Sequence, residues 1–329
     1  MGAQDSQNTL WIMRRRDLLK TVSVIALSGL VPRFVSRAAD EPKKLLFVHG
    51  RGQQGSDPDK LKVEWLDALN RGAAKFGKTL STDIDVAFPF YGDILDRYAR
   101  AVDIPLTSDI QARGSGVDEE FLVFQAEFAD AVRERAGITD AQVDAEYGSD
   151  PSPRGPLNWK WVQAILRAID KHSAMNQKPL EAFTRDVFLY TTRAGVRDEI
   201  DSIIAKKLTE EPTVVVGHSL GTVVAYNVLR NDRRSLKVPL LVTLGSPLGV
   251  RAVRDQFRPL KHPTSVAAWY NAFDSRDVVA LYPLDEKNFP LQPTVENNGT
   301  VNNSTNNRHG IAGYLDNADV AKRILSALS

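Results

Sequence analysis

The sequence predicts an α/β fold: a mainly parallel central sheet with helices on both faces. Three observations lead there. Its apolar runs, LLFV and TVVVG among them, are short and continuous, as in strands buried on both sides. Segments with the three-to-four-residue apolar spacing of helices separate these runs. The runs end in tight loops rich in glycine, the connections that strand-to-helix turns require.

Taken in order, KKLLFVHGRGQQG (43–55) reads as a buried strand and a tight loop. Leu61, Trp65, Leu66, Leu69 and Ala73 then share one helix face. DIDVAFPFYGD (83–93) reads as a second strand, made irregular at its end by Pro89. Phe121, Leu122, Phe124, Gln125 and Phe128 are helix-spaced, as are Trp161, Val162, Ile165, Leu166 and Ile169, with a turn-rich connector (146–158) between them. DVFLY (186–190) is expected to be a third strand, followed by a helix through Val196, Ile200, Ile203, Ile204 and Leu208. TVVVG is a strand, Leu220 to Arg230 a helix, and VPLLVTLGSP and SVAAWYNAFDS two more strands. A last helix carries Val320, Ala321, Ile324, Leu325 and Leu328, capped by Asp316 or Asn317. The stretch at about 94–181 breaks the alternation and is expected to be a helical cap inserted into the sheet domain.

The 329 residues are 43% hydrophobic and 25% charged, enough for one large core. A net charge of +1 gives no bulk electrostatic case for nucleic acid. The basic cluster Arg230, Arg233, Arg234 and Lys237 reads as a solvated loop. With no cysteine, disulfides, thiol nucleophiles and cysteine metal sites are excluded.

Residues 1–39 read as an export signal. Arg15 and Arg16 precede Asp17-Leu18-Leu19-Lys20, an apolar stretch runs from Val22 to Val31, and Ser36, Ala38 and Ala39 supply small residues for cleavage. This order resembles a bacterial twin-arginine signal, which implies the twin-arginine export machinery as a partner and a periplasmic or secreted location. The apolar stretch is too short for a stable membrane span. The mature chain is expected to begin near Ala39 or Asp40, and Met13 is an alternative start.

The stretch VVVGHSLGTVVAY (214–226) carries the chemistry. Gly217 and Gly221 flank Ser219 at a strand-to-helix turn, which would present the serine hydroxyl at the carboxyl end of the sheet with a helix N-terminus behind it. A serine nucleophile needs a general base oriented by an acid. Of five histidines, only His309 is late in the chain, in a polar loop and followed by a helix. His49 and His218 belong to glycine loops, His172 to the cap, and His262 to the wrong end of a strand. Asp274 and Asp277 both lie where a strand runs out. Asp277 is favoured because Val278-Val279 would anchor its loop, leaving Asp274 as a loop hydrogen-bonder and the alternative acid.

From LLFVHGRG through VVVGHSLG and TLGSPLG to DVV and RHG, residues 40–329 apart from the insertion at about 94–181 resemble the α/β-hydrolase superfamily, and most closely its lipase- and esterase-like serine hydrolases. The resemblance implies an α/β-hydrolase domain with oxyanion-hole amides from Arg51 and Leu220. It also implies cleavage of carboxylic esters, small or lipid-like, by an acyl-enzyme route without a cofactor. Arg51 stands where the family commonly has an apolar residue; its side chain either binds an anionic substrate group or points to solvent. Acyl transfer and amide cleavage use the same constellation, and an inactive binding relative is the reading from a different class. Phe121, Phe124, Phe128, Trp159 and Trp161 suit either an apolar acyl-binding lid or helices packed on the core.

Overall fold

Among the described residues, six parallel strands make one sheet in the order β2-β1-β3-β4-β5-β6. The computed structural model describes residues 44–101, 104, 106, 118–173 and 175–329. The export-signal reading of residues 1–39 lies outside the described residues, which all belong to one compact unit.

Strand β1 (Lys44–Val48) pairs with β2 (Asp85–Ala87) on one side and β3 (Thr213–His218) on the other. β4 (Leu241–Leu244), β5 (Trp269–Ala272) and β6 (Glu296–Asn298) continue outward from β3. The chain thus reverses its direction of travel across the sheet between β1 and β3. Open α/β sheets hold ligands at such a point, outside the carboxyl ends of the strands.

Both faces are covered, which is why the inner strands β1 and β3 read as nearly unbroken apolar runs. Leu45, Phe47, Val214, Val216 and Val242 point into one core with α1 (Pro58–Ala74), α10 (Ile311–Leu315) and α11 (Ala318–Leu328). Leu46, Val48, Val215 and Leu241 point into the other, larger core with α8 (Leu220–Asn231). Helix α1 starts sharply because the Asp57 carboxylate accepts from the Asp59 and Lys60 amides and Pro58 is preset for the first turn. Asn317, one of the two expected caps, does the same for α11.

The helical stretch proves longer than the sequence predicts. Helices α2 (Gly92–Ala101), α3 (Glu119–Arg135), α4 (Asp140–Tyr147), α5 (Trp159–His172), α6 (Gln177–Thr192) and α7 (Ala194–Ala205) lie between β2 and β3. DVFLY is therefore not a strand but the last part of α6. That helix is enclosed by its neighbours, burying Phe183, Val187, Phe188, Leu189 and Tyr190, so its apolar run mimics a buried strand. Phe121 and Phe124 pack their rings on Phe188, and Phe128 on Phe183. These aromatics build the interior of the helical section. The basic cluster is only partly a solvated loop: Arg234 donates to the Ala205 and Leu208 carbonyls at the end of α7, and Arg230 to the Phe257 carbonyl.

Candidate functional site

The site is built at the turn between β3 and α8. Ser219 sits there with φ 55° and ψ −127°. Among the described residues it shares positive φ outside glycine only with Arg308, the residue before His309. Strained backbone of this kind persists where the surroundings over-determine it, and it clusters at functional sites. Here the Ser219 amide donates to the Leu244 carbonyl at 3.0 Å. Its carbonyl accepts from the Thr222 amide at 3.0 Å and the Thr222 hydroxyl at 2.7 Å. The turn also presses α8 against β1: a Cβ on Gly221 would lie 2.1 Å from the Val48 carbonyl oxygen. No side chain fits there.

Asp277 and His309 arrive from the loops that follow β5 and β6, at the same carboxyl end of the sheet. His309 Nε2 lies 2.8 Å from Ser219 Oγ, and His309 Nδ1 lies 2.7 Å from Asp277 Oδ2. With Nδ1–H donated to the carboxylate, Nε2 carries the lone pair and accepts the serine hydroxyl. Gly245, at φ 60°, leaves room for this line of groups, since a Cβ there would lie 3.1 Å from both Asp277 Oδ2 and His309 Cε1. Asp277 Oδ1 accepts from the Val279 amide at 2.8 Å and the Ala280 amide at 3.4 Å. Burial pushes the Asp277 carboxyl up, but His309, the Tyr314 hydroxyl and the Val279 amide outweigh it and hold the group below the ordinary carboxylate value.

Asp274 does not reach His309. Its Oδ1 accepts from the Arg276 amide and its Oδ2 from the Asn303 amide, each at 2.8 Å. Asn303 in turn donates from Nδ2 to the Gly310 carbonyl at 2.9 Å. Asp274 thus ties down the loop that delivers His309, while Asp277 touches the imidazole itself.

The loop after β1 closes the other side. A Cβ on Gly50 would lie 2.9 Å from Ser219 Cβ, so this loop passes directly over the serine. Among the described residues, no protein acceptor takes the Arg51 or Leu220 backbone amide; Leu220 directly follows Ser219 and Arg51 directly follows Gly50. His49 supports the loop: Nδ1 donates to the Gly50 carbonyl at 2.7 Å, Nε2 accepts from the Tyr91 amide at 3.1 Å, and the Tyr91 hydroxyl donates to the His49 carbonyl. Burial pushes His49 down to about 4, so it is neutral near pH 7. The Arg51 side chain follows neither expected course alone. Its Nε donates to Asp186 Oδ2 of α6 at 2.6 Å. Burial raises the Asp186 carboxyl above its ordinary value despite that partner.

Three contributors escape a reading of the sequence. Tyr314 donates its hydroxyl to Asp277 Oδ2 at 2.5 Å. His218 donates from Nε2 to the His309 carbonyl at 2.7 Å; burial, then the nearby His309, pushes it down to about 3. Asp186 lies in DVFLY, whose apolar run reads as a strand but which forms part of α6. Only His218 had a visible signal, its place beside Ser219. Of the remaining histidines, His172 ends α5, and His262 lies before β5, at the opposite end of that strand from Asp274 and Asp277. Among the described residues no group of three His, Asp or Glu side chains is placed to hold a metal ion.

The chain matches no protein-family model and none of the curated proteins searched. The functional reading therefore rests on the residues themselves.

Proposed function

We propose that this protein is an exported serine hydrolase of the α/β-hydrolase type that cleaves carboxylic esters through an acyl-enzyme. One observation carries the reading: Ser219 Oγ, His309 Nε2 and Asp277 Oδ2 stand in hydrogen-bonded succession at the point where the sheet reverses its winding. A hydroxyl, an imidazole and a buried carboxylate in that succession are what nucleophilic acyl transfer requires.

The proposed reaction uses these groups in turn. The Ser219 hydroxyl gives its proton to His309 Nε2 as its oxygen bonds to the ester carbonyl carbon. The negative charge that moves onto the carbonyl oxygen meets the Arg51 and Leu220 amides, each worth about 3 kcal/mol to the transition state. Asp277 offsets the imidazolium charge and keeps the ring in one tautomer. Collapse of the tetrahedral species breaks the bond to the alcohol oxygen, which takes the proton from His309. Water then repeats the sequence on the acyl-serine, releasing the acid and free Ser219. These steps call on no metal or organic cofactor. Export through a twin-arginine route to the periplasm or beyond is part of the proposal, resting on Arg15, Arg16 and the apolar stretch after them. Among the described residues no helix is long and apolar enough to cross a membrane.

The test is covalent labelling with a fluorophosphonate probe, followed by turnover of p-nitrophenyl esters of graded acyl length. The wild type should label at Ser219 and hydrolyse one range of these esters, and Ser219→Ala should do neither while keeping its fold. A wild type that takes no label overturns the reading. Labelling with turnover of amides, or with transfer to added alcohols, would redirect it within acyl-transfer chemistry.

A further inference from the structure

We propose that Tyr314 is a positioning residue of this site, its hydroxyl sharing Asp277 Oδ2 with His309 and so fixing both the direction and the basicity of that carboxylate. The inference rests on the hydrolase reading above and adds to it a fourth side chain.

The observations lie within a few ångströms of one another. Tyr314 is fully buried on α10, five positions beyond His309, so one short segment delivers both groups to the carboxylate. Its hydroxyl oxygen accepts from the Asp274 amide at 3.2 Å, which directs its own proton toward Asp277 Oδ2 at 2.5 Å. The same Oδ2 accepts from His309 Nδ1 at 2.7 Å, while Oδ1 accepts from the Val279 and Ala280 amides. Four donors therefore converge on one buried carboxylate, two to each oxygen, and the carboxylate cannot rotate without breaking bonds on both sides.

The hydroxyl is what distinguishes this residue from an ordinary core ring. A phenylalanine would fill the same space, and both polar contacts of the hydroxyl go to the Asp274–Asp277 loop. Other titratable groups nearby are already engaged. Asp274 gives its carboxylate to the Arg276 and Asn303 amides with Arg308 alongside, and His218 donates to the His309 carbonyl. Burial, then the Asp277 charge, pushes the Tyr314 hydroxyl far above the ordinary phenol value, so it remains a donor throughout the working pH range.

A donor on Oδ2 draws charge away from the side that faces the imidazole. Removing it leaves more charge there, which favours the protonated imidazole and moves the acid limb of the rate profile to higher pH. It also frees the carboxylate to swing, which lowers turnover without touching substrate binding.

The experiment begins with fluorophosphonate titration of active sites in wild type and Tyr314→Phe. Rates per labelled site are then measured from pH 5 to 9 on one p-nitrophenyl ester. Tyr314→Phe should lower kcat roughly tenfold, the effect of one hydrogen bond to a charged group. KM should stay within about twofold and the acid limb should rise by about half a unit. A second variant carries 3-fluorotyrosine at position 314, which keeps the shape and strengthens the donor; its acid limb should move the other way. A wild type that takes no label overturns the hydrolase reading and this inference with it. A labelled wild type whose two variants, or the fluorinated one alone if Tyr314→Phe does not fold, keep the wild-type kcat and acid limb overturns this inference only.

Discussion

Arg51 donates from Nε to Asp186 Oδ2 at 2.6 Å, although the two residues stand 135 positions apart in the chain. The bond joins the loop that passes over Ser219 to helix α6, and so couples the helical section to that loop. Asp186 is nearly enclosed and Arg51 partly exposed, with side chains 7% and 27% accessible. The pair therefore lies between a surface ion pair and a fully buried one in strength.

Asp186→Asn is accordingly expected to do two things. It should leave the unfolding free energy nearly unchanged, because burial already penalises the Asp186 carboxylate despite Arg51 and the amide removes that penalty. It should lower turnover of a p-nitrophenyl ester roughly tenfold as the loop loosens around the oxyanion. Chemical denaturation and steady-state kinetics on the same preparation check both. Unchanged turnover in a folded variant would mean that the loop is held by His49 and Tyr91 alone.

The two aspartates after β5 separate cleanly. Asp277→Asn leaves the His309 ring facing an amide and favours the tautomer with its proton on Nε2, which cannot accept from Ser219. The expected loss in kcat is on the order of 10⁴-fold, as in other triads of this kind. Asp274→Asn instead puts an amide where the Arg276 and Asn303 backbone N–H groups now find acceptors. It should cost about 1–3 kcal/mol of stability, with far less change in turnover per folded molecule. A crippled but stable Asp274→Asn would reverse the two assignments.

This division was half legible in the sequence. Ser219, His309 and the carboxyl ends of the strands follow from glycine placement, chain order and apolar runs, which are local signals. What was hidden is whatever depends on distant contacts. Helix α6 reads as a strand because its neighbours bury most of its surface, erasing the polar face that marks a helix. Strand β6, Glu296–Asn298, has the opposite problem: among the described residues it pairs only with β5, and it is polar, so no apolar run announces it. Tyr314 and Asp186 look like ordinary core and helix residues until the fold brings them to Asp277 and Arg51.

Gly221→Ala tests how tightly the serine turn is built. Its Cβ would meet backbone oxygens of Val48 and His49 at 2.1 and 2.4 Å, and backbone in a central strand has nowhere to go. The expected cost exceeds about 3 kcal/mol, with poor recovery of folded protein as the first sign. A stable, active Gly221→Ala would show that α8 can slide away from β1. That would make the turn far softer than its crowding implies.

Acidification from pH 7 to 5 should destabilise the fold. His218 is pushed down to about 3 and His49 to about 4, so between those values and the ordinary 6.5 the unfolded chain binds protons that the folded one refuses. Stability is then full above about pH 6.5 and falls as pH drops, by about 2 kcal/mol for each histidine at pH 5. Asp201 works the other way. Burial raises it to about 6 despite hydrogen bonds from Tyr190 and Asn227, so acid relieves an ionised carboxylate in a dry place and returns about 1.4 kcal/mol by pH 5. The raised Asp186 acts in the same direction as Asp201. The two histidines together outweigh Asp201, and a net loss of stability is expected. Denaturation midpoints at pH 7, 6 and 5 give the answer directly. A midpoint that climbs on acidification would mean that the buried carboxylates, not the two neutral histidines, set the pH dependence of the fold.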